Sequence, residues 1–229
     1  MKAQILTITL YFKVLFMSVQ NQHLDALQDI RKMMQRSSRF ISLSGLSGIA
    51  AGFWALVGVY FAYDWIYEYY SQYNDLGYTN LAFHKLKLSL FMLAAVVLAV
   101  SLLSAFYFTW RRAGKNKTQL WNHTSKMLTI NMLIPLVTGG IFMLTMLQHD
   151  EWRFIAPACL IFYGLALVNG SKYTLSEIRY LGLLEILLGL INTQFPGYGL
   201  YFWGAGFGLL HIIYGFAMWW KYERQPVVE

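Results

Sequence analysis

Six apolar stretches, each close to the length of one membrane crossing, dominate this chain: Phe40–Tyr63, Leu88–Trp110, Met127–Leu147, Phe154–Gly170, Ser176–Thr193 and Leu200–Trp220. About 20 consecutive apolar residues span the hydrocarbon core as a helix. No water is present there to satisfy backbone N–H and C=O groups, so each stretch must bond internally. The expectation is an all-α polytopic integral membrane bundle of six transmembrane helices. Composition agrees, with 57% apolar and 13% charged residues against about 25% charged in soluble domains. The remainder is a cytoplasmic N-terminal segment (1–39), short loops around a 40–220 transmembrane domain, and a cytoplasmic tail (221–229).

The charges orient the bundle. Six crossings place both termini on one side, and 15 of the 18 lysines and arginines then lie there, leaving Lys85, Lys87 and Arg153 opposite. Excess Lys and Arg marks the cytoplasmic side, so the expected location is the bacterial inner membrane with both termini in the cytoplasm. The net charge of +7 sits at span ends rather than on one continuous face. Contact with anionic lipid headgroups accounts for it, and no direct nucleic-acid binding is expected. Cys159 is the only cysteine and lies within the fourth stretch, so no internal disulfide forms. Trp110, Trp121, Trp152, Trp203, Trp219 and Trp220 fall near span ends, where amphipathic rings prefer the headgroup level. Trp65, Tyr67, Tyr69, Tyr70, Tyr73 and Tyr78 crowd the first external loop, which is expected to lie along the outer interface.

Met1–Phe16 is apolar with two lysines and no small-residue cleavage site, and Met17 offers a second start. The first sixteen residues thus read either as a surface-resting segment or as a start-site artefact. In Asn21–Arg39, Leu24, Leu27, Ile30 and Met34 recur at three- and four-residue steps while Arg31, Lys32, Arg36 and Arg39 supply the charged side. That pattern predicts an amphipathic helix lying in the cytoplasmic headgroup region, with docking of a cytoplasmic regulatory partner as its other use.

Small residues mark helix contacts. Ser44, Gly48 and Gly52 recur every four residues in the first span, and Gly204, Gly208 and Gly215 form a matching face in the last. Such faces let backbones approach where no hydrophobic effect drives helices together. Packing within the bundle is the first expectation and homodimerisation the alternative. Pro135 and the Gly139–Gly140 pair predict a kink in the third span. Ser101, Ser104, Asn131, Thr138 and Asn169 stand singly and read as helix–helix contacts.

The chemical candidates are two ionisable groups inside the membrane, Glu185 in the fifth span and His211 in the sixth. Gly182, Glu185, Gly189 and Asn192 follow steps of three, four and three and share one helix face. Gly204, Gly208, His211 and Gly215 do the same. Counted outward from the tight turn at Phe195–Gly199, Glu185 and His211 reach nearly the same depth. The two glycine-rich faces are expected to meet and to form a Glu185–His211 hydrogen bond. An acidic residue at the bilayer centre costs roughly 2.5–3.5 kcal/mol, whereas an interhelical hydrogen bond contributes about 0.6 kcal/mol. The pair does not offset its own cost, so it is either a clasp around a neutral carboxyl or a ligand, proton or ion site including Asn192.

On the external side Asp64, Glu68, Asp75, His84, His149, Asp150 and Glu151 offer carboxylates and imidazoles. No ligand spacing such as HExxH accompanies them, so neither a metal nor another cofactor is expected. Two glycosylation-type triplets, Asn116-Lys117-Thr118 and Asn122-His123-Thr124, fall on the cytoplasmic loop and read as accidental. No phosphate loop, nucleophile elbow or DNA-reading motif is present.

The run from Asp29 to Gly48 (DIRKMMQRSSRFISLSGLSG) resembles the opening of a family of six-span bacterial membrane proteins of Bacteroidetes type, some carrying a beta-carotene monooxygenase label. The resemblance implies the six-span fold. Membrane carotene dioxygenases hold iron with several histidines inside the bilayer. Here only His211 is deep, with His23, His84, His123 and His149 in loops. The leading functional expectation is a non-enzymatic sensor or regulatory component that binds a small lipophilic molecule between spans. A small transporter or proton-coupled carrier using Glu185 and His211 is the alternative, and a membrane oxygenase or lipid-modifying enzyme a third. The bilayer is the obligatory partner.

Overall fold

The computed structural model describes residues 44–76, 80–115 and 120–224. The amphipathic helix expected over Asn21–Arg39, the segment Met1–Phe16 and the Asn116 triplet lie outside the described residues. Six long helices follow in order: α1 (Gly45–Leu76), α2 (Asn80–Lys115), α3 (His123–Gln148), α4 (Ile155–Gly170), α5 (Glu177–Gln194) and α6, which runs through Gly199–Trp203, a π-helical segment Gly204–Leu210, and His211–Tyr222. Five segments are long and apolar enough to cross a membrane: Gly45–Gln72, Leu81–Lys115, His123–Gln148, Trp152–Tyr173 and Pro196–Tyr222. The chain is a multi-pass membrane protein by that measure. α5 carries Glu177, Arg179 and Glu185 within its 18 residues and falls outside the set.

α1 and α2 are longer than expected, at 32 and 36 residues, or about 48 and 54 Å at 1.5 Å per residue. The external loop expected to lie along the interface is therefore corrected. Trp65, Tyr67, Tyr69 and Tyr70 stand on the last turns of α1, which runs to Leu76. Apolarity ends near Tyr63, but no Gly or Pro interrupts the helix until Gly77, and a helix continues past hydrocarbon until such a break.

The helices pack in the order α2, α1, α6, then α5 and α4, with α3 outermost against α4. α1 and α6 meet through the small residues. A Cβ at Gly52 would fall 2.6 Å from the Gly208 carbonyl oxygen, and one at Gly215 would fall 2.6 Å from the Ile49 nitrogen. A second seam joins α4 to α5, where a Cβ at Gly164 would meet the Gly182 carbonyl at 2.6 Å and one at Gly182 the Gly164 carbonyl at 2.7 Å. α2 keeps large side chains such as Leu88, Phe91, Leu102, Leu103 and Phe106 exposed along its length. Exposed apolar area on that scale belongs in lipid.

Pro135 sits inside α3 without ending it. A proline lacks the N–H that would bond the carbonyl four residues back, here that of Asn131. The Asn169 side-chain amide of α4 donates to that carbonyl at 2.8 Å. The solitary polar residues Asn131 and Asn169 thus meet as a helix–helix contact. At the start of α3, the Asn122 side chain accepts from the Ser125 N–H at 2.8 Å and the Asn122 N–H donates to Ser125 Oγ at 2.9 Å, closing a capping box. Its role in the glycosylation-type triplet is a helix cap.

One end of the bundle is tied by carboxylates. Glu223, just past α6, accepts from Ser44 Oγ at 3.1 Å and the Gly45 N–H at 2.5 Å, and pairs with Arg112 of α2 at 3.2 Å. A carboxylate at a helix N-terminus satisfies free N–H groups and meets the positive end of the dipole. Glu177 at the start of α5 accepts from Lys221 at 2.5 Å and Tyr222 at 2.8 Å. At the other end Lys87 of α2 pairs with Asp150, and Trp152 stands edge-on to Phe83 at 5.5 Å. Asp150 has φ 60°. It occupies the left-handed position after α3, where the Glu151 N–H returns to the Met146 carbonyl at 2.9 Å and the Asp150 N–H to Leu147 at 3.2 Å. This is a Schellman closure with Asp where Gly is usual. The Lys87 hydrogen bond and charge hold the Asp150 carboxyl below the usual carboxylate range.

Candidate functional site

The α5 face expected from spacing exists. Gly182, Glu185, Gly189 and Asn192 are all buried, and Glu185 and Asn192 are 0% exposed. Its partner differs from the expectation. Gly182 and Gly189 press against α4, and Gly204, Gly208 and Gly215 press against Val59, Leu56 and Ile49 of α1. The glycine faces of α5 and α6 do not meet; each serves a different neighbour.

What α6 offers Glu185 is Gly206. A Cβ there would collide with Glu185 Oε2 and with the fully buried Leu160 of α4, which lies 2.5 Å from its position. The π-helical segment Gly204–Leu210 explains this placement. A π turn adds a residue to the helical turn, so positions that would share one face of an α-helix fall out of phase. Gly204, Gly208 and Gly215 keep to α1, while Gly206 and His211 turn toward α4 and α5.

His211 and Glu185 do come together, with Nδ1 3.5 Å from Oε1, but the expected hydrogen bond is not formed. His211 Nδ1 lies 3.0 Å from the Gly206 carbonyl and Nε2 2.7 Å from the Tyr163 hydroxyl. A carbonyl only accepts, so Nδ1 carries the hydrogen. In the neutral ring Nε2 then accepts from the Tyr163 O–H. Both imidazole nitrogens are satisfied without the carboxyl. Among the described residues Glu185 Oε1 and Oε2 have no hydrogen-bond partner, and neither does Asn192 Oδ1. Asn192 donates from Nδ2 to the Phe195 carbonyl at 3.1 Å.

Tyr163 is the residue that sequence reasoning missed. It lies midway along α4, with its ring 5.4 Å from His211 and 5.0 Å from Phe207. Trp203, Phe207 and His211 follow at steps of four along α6, with centroid separations of 5.0 and 6.0 Å. A tyrosine halfway through a span, at the depth of an ionisable pair, was the available signal.

The external candidates Asp64, Glu68, His84, His149, Asp150 and Glu151 form no site of that kind. Among the described residues no three His, Cys, Asp or Glu side chains converge as metal ligands. Side chains 73–80, Asp75 included, are outside the description. Comparison with protein-family models, with curated proteins and with solved structures gives no match to this chain.

Chemically, the arrangement is a carboxyl with two empty acceptor oxygens beside an aromatic–imidazole wall. A buried acceptor left without a partner costs about 1–3 kcal/mol, and no hydrogen bond from the described residues offsets it. An acceptor pair of this kind is completed by a proton, a water or a ligand bearing a donor group.

Proposed function

We propose that the chain is a six-span bacterial inner-membrane protein with cytoplasmic termini, acting as a non-enzymatic sensor or regulatory component. Its input is a small lipophilic molecule with a hydrogen-bond donor, or the proton itself, bound at Glu185 between α4, α5 and α6. α5 is the remaining crossing. It lies between α4 and α6 in sequence and in packing, and its one mid-helix charge is the site residue.

The observation that carries the reading is the unpartnered Glu185 carboxyl, 0% exposed. Intramembrane ionisable groups are costly, and function is the default reason for keeping them. A second reading, a proton-coupled carrier, is favoured by the 3.5 Å separation of Glu185 and His211, two groups able to trade a proton. Lipid mass spectrometry and metal analysis of the purified protein test the first reading. The native protein should carry a small molecule that Glu185→Gln does not retain. Identical contents in the two proteins would count against a bound lipophilic ligand.

A further inference from the structure

We infer that the occupant of the Glu185 site is a proton, and that His211 reads its loss by moving its Nδ1–H from the Gly206 carbonyl to the Glu185 carboxylate. The inference rests on the reading of Glu185 as the input site and names which input it takes.

The carboxyl is closely packed on every side that the glycines report. About one turn before it, a Cβ at Gly182 would stand 2.7 Å from the Gly164 carbonyl. About one turn after it, a Cβ at Gly189 would stand 2.9 Å from the Pro157 carbonyl and 3.0 Å from the Ile161 nitrogen. From α6, even a methyl group on Gly206 would collide with Glu185 Oε2 and with Leu160. Glu185 and Leu160 are both 0% exposed. A proton needs no cavity, and it reaches buried groups through local openings. Neither carboxyl oxygen receives a hydrogen bond from the described residues, and a carboxylate buried in that way is far costlier than the neutral acid. The arrangement is therefore that of the protonated group.

His211 Nδ1 stands 3.0 Å from the Gly206 carbonyl and 3.5 Å from Glu185 Oε1, one N–H between two acceptors. Hydrogen bonds to a carboxylate are roughly twice as strong as neutral ones and about 2.7–2.9 Å long. When the Glu185 O–H bond breaks, the proton leaves to water and the electron pair stays on the carboxylate. The preferred acceptor then changes, and a closure of about 0.7 Å moves the bond. His211 neither gains nor loses a proton, because Nε2 keeps the Tyr163 hydroxyl. Gly206 belongs to the π segment whose Gly204 and Gly208 press on α1, so the exchange frees a backbone carbonyl in the part of α6 that α1 touches.

α5 packs against α4, α6 and the turns beside them. Of the titratable groups there, Tyr163 and His211 face Glu185. Cys159 of α4 turns to Met143 of α3, Tyr214 of α6 packs on the cluster that holds Leu181, and Lys221 and Tyr222 bond Glu177. Tyr198, Tyr201 and, on α5 itself, Arg179 and Tyr180 are exposed. Lys172 and Tyr173 precede α5, whose first residue is already about 12 Å of helix from Glu185.

The test is a pH titration of the full chain in phosphatidylcholine liposomes, with the proton as the only ligand added. Infrared spectroscopy reads the C=O stretch of a protonated carboxyl. NMR of isotope-labelled histidine reads the His211 Nδ1–H, assigned with His211→Gln. A carboxyl band that Glu185→Gln lacks should fade as pH rises. The His211 signal should shift downfield with the same midpoint while the ring stays neutral, and should stay fixed in Glu185→Gln. The coincidence of the two midpoints is read on the native protein alone, so it stands whether or not a variant folds. A band that fades while the His211 signal stays fixed, or while the ring becomes charged, would overturn the exchange and leave the proton site. A band that titrates only after a bound small molecule is stripped by detergent would overturn the proton as occupant. No titrating band lost in Glu185→Gln would overturn the reading of Glu185 as the input site.

Discussion

The α1–α6 seam makes a quantitative claim at Gly52. A Cβ added there would lie 2.6 Å from the Gly208 carbonyl oxygen and 3.0 Å from the Ile212 nitrogen, the first of these 0.8 Å short of the 3.4 Å at which ordinary contact begins. Ile212 Cγ1, at 2.7 Å, can swing away, but the carbonyl oxygen and the nitrogen are backbone, so the two helices must part. A gap of about 0.5–1 Å forfeits a quarter to a half of the dispersion energy of the contacts it opens. Overpacking of this kind costs roughly 1–3 kcal/mol. Gly140 of α3 is the matched control, since a Cβ there meets nothing within 4 Å. Ala is favoured over Gly in a helix by about 1 kcal/mol. Thermal unfolding in detergent should therefore show Gly52→Ala below the native protein and Gly140→Ala level with it or above. Equal midpoints for the two variants would refute the claim that α1 and α6 are in backbone contact.

The Pro135 contact predicts a non-additive pair. Asn169→Leu should cost about 0.6–1.7 kcal/mol in the native background and much less beside Pro135→Ala, where a restored N–H serves the Asn131 carbonyl; additivity in a double-mutant cycle would sink the contact. The Lys87–Asp150 pair predicts a pH dependence. The folded Asp150 carboxyl titrates below its unfolded value, so its contribution is present above the ordinary carboxylate range and is lost as pH falls through the lowered value. The difference in unfolding midpoint between native protein and Lys87→Met should hold steady down to about pH 4 and vanish only below it. A difference that grew on acidification would reverse the sign.

Six helices were legible because apolar runs of this length must be helical, with limits close to those expected for the last four, Met127–Leu147 becoming His123–Gln148 and Phe154–Gly170 becoming Ile155–Gly170, while the first two run well past their apolar stretches. The first external loop was misread because apolarity marks where hydrocarbon ends, while the helix runs on to Leu76 through a stretch with no Gly or Pro. The small faces at Gly48, Gly52, Gly208 and Gly215 announced close approach without naming the partner, since any neighbour fits a groove. The depth of Glu185 and His211 followed from counting residues. Their missing hydrogen bond did not, because an assumed 3.6-residue turn through Gly204–Leu210 conceals the π segment that gives His211 to Gly206 and Tyr163. Glycines at alternate positions 204, 206 and 208 were the available hint, as they weaken the preference for regular α geometry.

The central claim is that Glu185 stands unpartnered while His211 is held by its neighbours, and paired unfolding measurements address it most directly. In protein stripped of any bound small molecule, Glu185→Gln gives up no hydrogen bond within the bundle and should unfold at or above the native midpoint. His211→Phe strands the Tyr163 hydroxyl and should lose about 1–3 kcal/mol. Contradiction would be a Glu185→Gln protein that loses as much as His211→Phe. The carboxyl would then be a clasp that holds the helices together.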